Sequence, residues 1–299
     1  MSGADAVRTE ALSKRYRRDT ALSTVSLRVP ETAIYVLAGA NGAGKSTVMK
    51  VLMNLERADE GTAEVLGMDS VRCGPQARAQ MGYVPEDARH PYGWMSCSQL
   101  LAHIAAYHRS WDVSYADRLR RTFELRLDRK VGTLSKGEAR RLQLILALAY
   151  RPAVLLLDEP TDGLDPVVRS RTLAVLAEHL ADGPTSVLVA THQIHEFETP
   201  ADYVGILRDG SLIAQLSRDE LPNVVGRYRV EVPEGWTATR ELRSAGVRGN
   251  PVREAEWTLI GHRGDLIDRL TVTGALVHSV RPVSFDDAVV ALIAHQVTP

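Results

Sequence analysis

The chain is short of cysteine, of long apolar runs and of net charge, and each shortage excludes something. Its 299 residues include only Cys73 and Cys97. They form no metal-spaced set, and two cysteines in a chain this large point to a reducing compartment. No apolar stretch approaches the roughly 20 residues needed to cross a bilayer. The first residues, Met1 to Arg8, lack the apolar core of a signal peptide. The expected location is therefore the cytoplasm, with any membrane role supplied by a partner. The formal net charge is −1 and the isoelectric point about 6.8, so no global field favours nucleic acid. Local basic groups, Lys14-Arg15 with Arg17-Arg18 and Arg118 with Arg120-Arg121, read as solvated faces. Internal repeats and low-complexity tracts are absent. What remains, 44% hydrophobic and 24% charged residues, is the balance of a globular protein long enough for one large domain or a large and a small one.

Against that plain background one stretch stands out, Gly39-Ala-Asn-Gly-Ala-Gly-Lys-Ser-Thr47. It fits G-x-x-x-x-G-K-[ST], a pattern that arises by chance in a chain this long about once in a hundred times at average residue usage. Its glycines let backbone N–H groups curl around phosphate oxygens. Lys45 brings a positive charge to the β- and γ-phosphates, and Ser46 offers a hydroxyl to Mg²⁺. An apolar run, Ala33 to Ala38, precedes it and a helical pattern, Val48 to Met53, follows. Strand, loop, helix is the order the chemistry needs, because the helix N-terminus adds its dipole to the anion site.

The flanking pattern predicts an α/β domain with a mainly parallel sheet. Val25 to Val29 alternates as a half-buried strand does, and Val65 to Gly67 and Gly82 to Val84 are short strand candidates. From about residue 87 to 151 the spacing becomes helical. Leu100, Leu101, Ile104 and Ala105 continue to Tyr107 and His108; Leu119, Phe123 and Leu127 recur at helical intervals; and Gly137 to Tyr150 forms a helix stopped by Pro152. Ala153 to Leu157 and Ser186 to Ala190 are continuous apolar runs of buried strands, separated by a helix from Pro166 to Leu180. A short acidic helix through Glu196 and Glu198 and a hairpin turning at Asp209-Gly210 follow. Around Glu220 to Asn223 the pattern breaks. The remainder, 221–299, reads as a small α+β domain with strands at 227–232 and 256–260 and helices at 266–270 and 285–294. Asp286-Asp287 there reads as a helix cap and dipole match rather than a catalytic pair.

A phosphate loop alone leaves kinases, GTPases and many ATPases open, although the Asn-Lys-x-Asp guanine motif is absent. Val154 to Leu157 followed by Asp158-Glu159-Pro160 narrows the choice. A buried strand ending in a carboxylate places Asp158 beside the phosphate loop to hold Mg²⁺, and Glu159 directly after it can orient or deprotonate an attacking water.

With these motifs in order, the sequence resembles the ATP-binding subunits of ABC transporters, of the bacterial exporter-like type, over roughly residues 5 to 220. Leu134-Ser135-Lys136-Gly137-Glu138 resembles the family signature, normally Leu-Ser-Gly-Gly-Gln, with Ser135 23 positions before Asp158. Gly163-Leu164-Asp165-Pro166 resembles the loop that crosses the dimer interface. His192 follows a buried strand where the family has its switch histidine, Glu86 sits where the family has a glutamine, and Tyr16 where an aromatic residue stacks on adenine. Tyr16 also fits a plain amphipathic surface residue, and Ser135 with Glu138 fits a helix capping box. The resemblance implies a P-loop NTPase domain of the ABC type over residues 1–220, with a helical subdomain at about 88–150 and an accessory or regulatory domain after it. It implies an active ATPase that binds ATP and Mg²⁺. Tyr16, Gly39, Asn41, Gly42, Ala43, Gly44, Lys45, Ser46 and Thr47 then form the ATP site. Ser46, Asp158 and Glu86 hold the metal; Lys45, Glu159 and His192 act in catalysis; and Ser135, Lys136, Gly137 and Glu138 face the partner's ATP. It further implies a homodimer or heterodimer, a multi-span membrane permease as partner, docked near residues 88–130, a peripheral place on the inner membrane face, and no nucleic acid. Lys136 and Glu138 depart from the usual signature; a cation at 136 either strengthens ATP binding or points to solvent. The alternative is a soluble ABC-type ATPase or regulatory module not coupled to transport. Its DNA-repair form needs long coiled-coil arms, for which the interval from Thr47 to Leu134 shows no sustained heptads.

Overall fold

The computed structural model describes residues 4–87, 90–249, 251 and 253–294. In chain order the elements are β1 Asp5–Tyr16, β2 Asp19–Val25, β3 Arg28–Pro30, β4 Ile34–Ala38, α1 Lys45–Leu52, β5 Glu60–Val65, β6 Met68–Asp69, α2 Gly74–Arg78, β7 Met81–Val84, α3 Cys97–Ala105, α4 Val113–Thr122, α5 Lys136–Leu148, β8 Val154–Asp158, α6 Pro166–Ala181 and β9 Ser186–Thr191. They continue with β10 Tyr203–Arg208, β11 Ser211–Ser217, α7 Leu221–Val224, β12 Val225–Glu231, α8 Arg240–Ser244, β13 Glu254–Ile260, α9 Arg263–Val272, β14 Leu276–Pro282 and α10 Phe285–Ala294. The chain divides into two compact units. One runs to His192 and includes Leu207–Leu212; the other comprises Gln193–Ile206 and the chain from Ile213 onward. The sequence break near residue 220 thus falls inside the second unit.

The first unit holds two sheets. An antiparallel one runs β2-β1-β5-β6, with β3 also paired to β1. In the parallel one the order is β4-β9-β8-β7. All five residues of β8 and all six of β9 are buried, as their unbroken apolar sequences require of strands covered on both faces. The register sets Ala38 opposite Thr191 and Asp158 opposite Ala190. The carboxyl ends of β4, β9 and β8 therefore lie side by side, and that edge is where α/β sheets bind ligands.

Several local expectations change. Val25, Leu27 and Val29 are buried as their alternation requires, but the strand is broken. Thr9 bridges the break, its hydroxyl donating to the Val25 carbonyl and accepting from the Leu27 amide at 3.0 and 2.9 Å. Val65 ends β5, and Leu66 and Gly67 form a turn with φ of 52° and 71°. α3 stops at Ala105, leaving Tyr107 73% exposed, and α4 stops at Thr122, so Leu127 is not on its stripe. Glu196 lies in a single 3₁₀ turn, Ile194–Phe197, which ends before Glu198.

In the second unit the antiparallel order β13-β12-β14 carries a core of Tyr228, Val230, Leu242, Leu259, Leu266 and Leu270, completed by Trp236 stacked on Trp257 at 5.7 Å. Ser284, not the aspartate pair, caps α10: its hydroxyl accepts from the Asp287 amide at 3.1 Å, while Asp286 and Asp287 occupy the first turn.

Candidate nucleotide site

The phosphate loop joins β4 to α1 through two left-handed glycines, Gly42 at φ 82° and Gly44 at φ 105°. A Cβ on Gly44 would lie 2.4 Å from the Ala21 carbonyl oxygen, and one on Gly39 2.3 Å from that of Leu207. Space as well as backbone angle therefore demands glycine at 44. Ala43 is buried behind the loop and its carbonyl accepts from the Gly210 amide at 3.1 Å. α1 opens with no acidic residue in its first turn and no side-chain cap, which keeps its positive dipole end available to an anion.

Lys45 is 6% exposed and donates to the carbonyls of Gly39 and Ala40 at 2.8 and 3.2 Å. Burial lowers its pKa, opposed by the charges of Glu159, Asp158 and Glu86. A buried ammonium bound to two carbonyls and 3.9 Å from the Glu159 carboxylate gains from an anion placed beside it. The Ser46 hydroxyl donates to Asp158 Oδ1 at 3.1 Å. Asp158 is 1% exposed, its second oxygen has no hydrogen-bond partner among the described residues, and burial pushes its carboxyl up to about 6. An orphaned buried carboxylate oxygen next to a serine hydroxyl is the donor set of a hard divalent cation such as Mg²⁺.

Glu159 follows at φ 49°, a left-handed conformation unusual for a non-glycine residue. That kink turns its side chain back across the sheet edge. It accepts from the Thr191 hydroxyl at 3.0 Å, from the His192 amide at 3.1 Å, and faces His192 Nδ1 at 2.9 Å. Around these groups lies a cavity of about 290 Å³ lined by Tyr16, Ala21, Asn41, Gly42, Gly44, Lys45, Ser46, Thr47, Glu86 and Glu159. The strand carboxylate and the phosphate loop, 112 residues apart in the chain, are thus one site. Tyr16 stands at its rim, 37% exposed, with the Lys14 ammonium 5.3 Å from its ring centre.

Ser135 caps α5 in a complete capping box: its hydroxyl accepts from the Glu138 amide at 3.3 Å and Glu138 accepts from the Ser135 amide at 2.8 Å. The hydrogen bond from the Ser135 amide, helped by the charges of Arg129 and Arg141, holds the Glu138 carboxyl below its usual range. Among the described residues none from Ser135 to Glu138 lines the cavity of the phosphate loop.

The family profile described as "ABC transporter" matches residues 22–162. The daunorubicin resistance ATP-binding protein DrrA2 of Streptomyces coeruleorubidus is 37% identical over 234 residues, covering 76% of this chain and 71% of that one. The ABC transporter ATP-binding protein YtrB of Bacillus subtilis is 33% identical over 211 residues, 70% and 71% of the two chains. A solved ATP-binding subunit of an ABC transporter superposes with a TM-score of 0.66 at 27% identity, over 72% of this chain and 91% of that one. The chain belongs to the ATP-binding subunits of ABC transporters. Its fold is the P-loop domain of that family, and ATP is the family's nucleotide.

Within this ABC subunit, Glu86 is exposed and lines the phosphate-loop cavity. Lys136 does not point freely to solvent; its ammonium lies 2.7 Å from Asp162 Oδ2. Asp165 caps α6, accepting from the Val167 and Val168 amides at 3.0 Å each. Sequence reasoning missed Arg140, a fully buried arginine. Its guanidinium donates to the carbonyls of Pro85 and Glu86, the latter at 2.6 Å, and to Gln143, whose amide donates to the Asp87 carbonyl at 2.9 Å. The helix that begins with the signature is thereby tied to the segment carrying Glu86. A signal existed: Arg140 shares the helical phase of Leu144 and Leu148, both fully buried, and an arginine on a core stripe needs a polar destination.

Proposed function

We propose that the protein hydrolyses ATP to power transport, in the export direction, through a separate membrane-spanning partner, working as a dimer of two ATP-binding subunits. The observation that carries the hydrolytic part is Glu159: a buried carboxylate, braced by Thr191 and His192, facing the phosphate-loop cavity. We assign it as the base that orients and deprotonates water, with His192 as the sensor of the γ-phosphate. Lys45 and the amides of Gly39 to Thr47 bind the phosphates, and Tyr16 stacks on adenine. Ser46, Asp158 and Glu86 hold Mg²⁺, which when bound offsets phosphate charge.

The dimer reading is supported by the separation of the signature from the phosphate loop of its own chain. We read Ser135 to Glu138 as meeting ATP seated on a second subunit, and Asp165 as part of the loop that crosses the dimer interface. Nucleotide touching both subunits favours the closed pair, and loss of the γ-phosphate removes that preference. Two such subunits form a homodimer or a heterodimer. Among the described residues no helix is long and apolar enough to cross a membrane, so the partner supplies the pathway and holds the subunit at the inner membrane face. It docks near residues 88–130, beside an open groove of about 740 Å³ that includes Leu55, Ile104 and the exposed Tyr107. The name of DrrA2, a resistance protein, supports export. Residues 221–299 are read as an accessory domain. Co-purification with a multi-span membrane protein whose presence raises ATP turnover supports the proposal; full ATP turnover with no such partner, in membranes or out, contradicts it.

A further inference from the structure

The Lys136–Asp162 pair joins the first residue of α5 to the loop that follows Glu159. The contact is built into the backbone. Gly163 is left-handed at φ 73°, and a Cβ there would lie 2.8 Å from Lys136 Cδ and 2.9 Å from Cε. The bare glycine backbone is the bed on which the lysine stem lies. A glycine at position 136, as in the usual signature, makes no such bond.

Two properties decide how this pair behaves. Its side chains are 55% and 37% exposed, so it is weakly held and easily exchanged. Asp162 also feels another cation: after Lys136, the charge of Arg140 lowers its carboxyl. Asp162 is therefore not stranded when Lys136 departs. A cavity of about 690 Å³, lined in part by Lys136, Asp162 and Glu86, gives the ammonium room to swing.

We infer that Lys136 is a phosphate ligand held in reserve: bound to Asp162 in the free subunit, it passes to the γ-phosphate of the ATP seated on a second subunit when the two close. This rests on the two-subunit ATP site proposed above. Exchanging a solvated carboxylate for a phosphate inside a closed, drier interface strengthens the charge contact. Asp162 accordingly sets how much ATP is needed for closure, once in each subunit.

The test measures the ATP concentration for half-maximal dimer, by sedimentation of the full chain with Mg²⁺, in a Glu159→Gln background. Adding Asp162→Asn frees the lysine and is expected to lower that concentration about two- to five-fold, the size of a half-exposed pair. Adding Lys136→Met raises it at least as much, Lys136→Arg largely restores it, and the Lys136→Met, Asp162→Asn double variant behaves like Lys136→Met alone. An Asp162→Asn variant that raises the requirement or leaves it unchanged overturns the inference, as does a Lys136→Met variant that closes as readily as its parent. If Glu159→Gln alone forms no ATP-dependent dimer, the two-subunit reading itself fails, and the inference with it.

Discussion

Gly44 shows how narrowly single positions are set. Its φ of 105° and the 2.4 Å approach of a would-be Cβ to the Ala21 carbonyl leave alanine both strained and crowded. Gly44→Ala is expected to destabilise the fold by roughly 2–3 kcal/mol and to abolish nucleotide binding, as measured by denaturant unfolding and by a fluorescent ATP analogue. Arg140 is set from the opposite direction, by bonds rather than by space. Arg140→Met removes the donors to the Pro85 and Glu86 carbonyls and leaves two partly buried acceptors to find other partners, for a loss of about 1–3 kcal/mol in denaturant unfolding. Because the same bonds carry Glu86, surviving folded protein is expected to lose ATP turnover more than ATP affinity. The motif positions were legible one by one because phosphate, metal and water chemistry restrict residue type. Arg140 was not, since nothing local says which carbonyls a buried guanidinium will find.

Among the elements, α5 and α6 make contrasting demands. The cap of α5 is local, so Ser135 and Glu138 announced it, and the helix ended before Pro152 as the sequence required. The pairing of α4 with α6 is not local. The Tyr115 hydroxyl lies 2.9 Å from His179 Nδ1, with the rings stacked and the Arg151 guanidinium 4.0 Å from the Tyr115 ring centre. Burial, aided by Arg151, lowers His179 to about 4 from its ordinary 6.5. The unfolded chain therefore binds the extra proton first. Stability from this site is complete above about pH 6.5 and falls as pH drops toward about 4, by up to about 3 kcal/mol. Thermal unfolding followed from pH 7 to pH 4.5 is expected to show that loss, and His179→Gln to flatten it. Strand ends were the least legible features. Val25 to Val29 has the alternation of one strand, yet Thr9 splits it between two pairings of β1. Leu66 is apolar yet sits in a turn. β14 and α8 were missed because their patterns are short and mixed, and their burial depends on a core assembled from distant segments.

For the whole molecule, every residue lining the phosphate-loop cavity belongs to the first unit. Deleting residues 225–299 is expected to leave affinity for a fluorescent ATP analogue within about two-fold, while complete loss of binding in a folded truncation contradicts a purely accessory role. The central claim concerns Glu159, and its most direct test is a paired measurement on Glu159→Gln: ATP hydrolysis rate and ATP-dependent dimer from the same preparation. The account predicts a fall in turnover of about 100-fold or more, the scale of a lost general base, with ATP binding intact and a stable dimer trapped. Hydrolysis at the parental rate would contradict it.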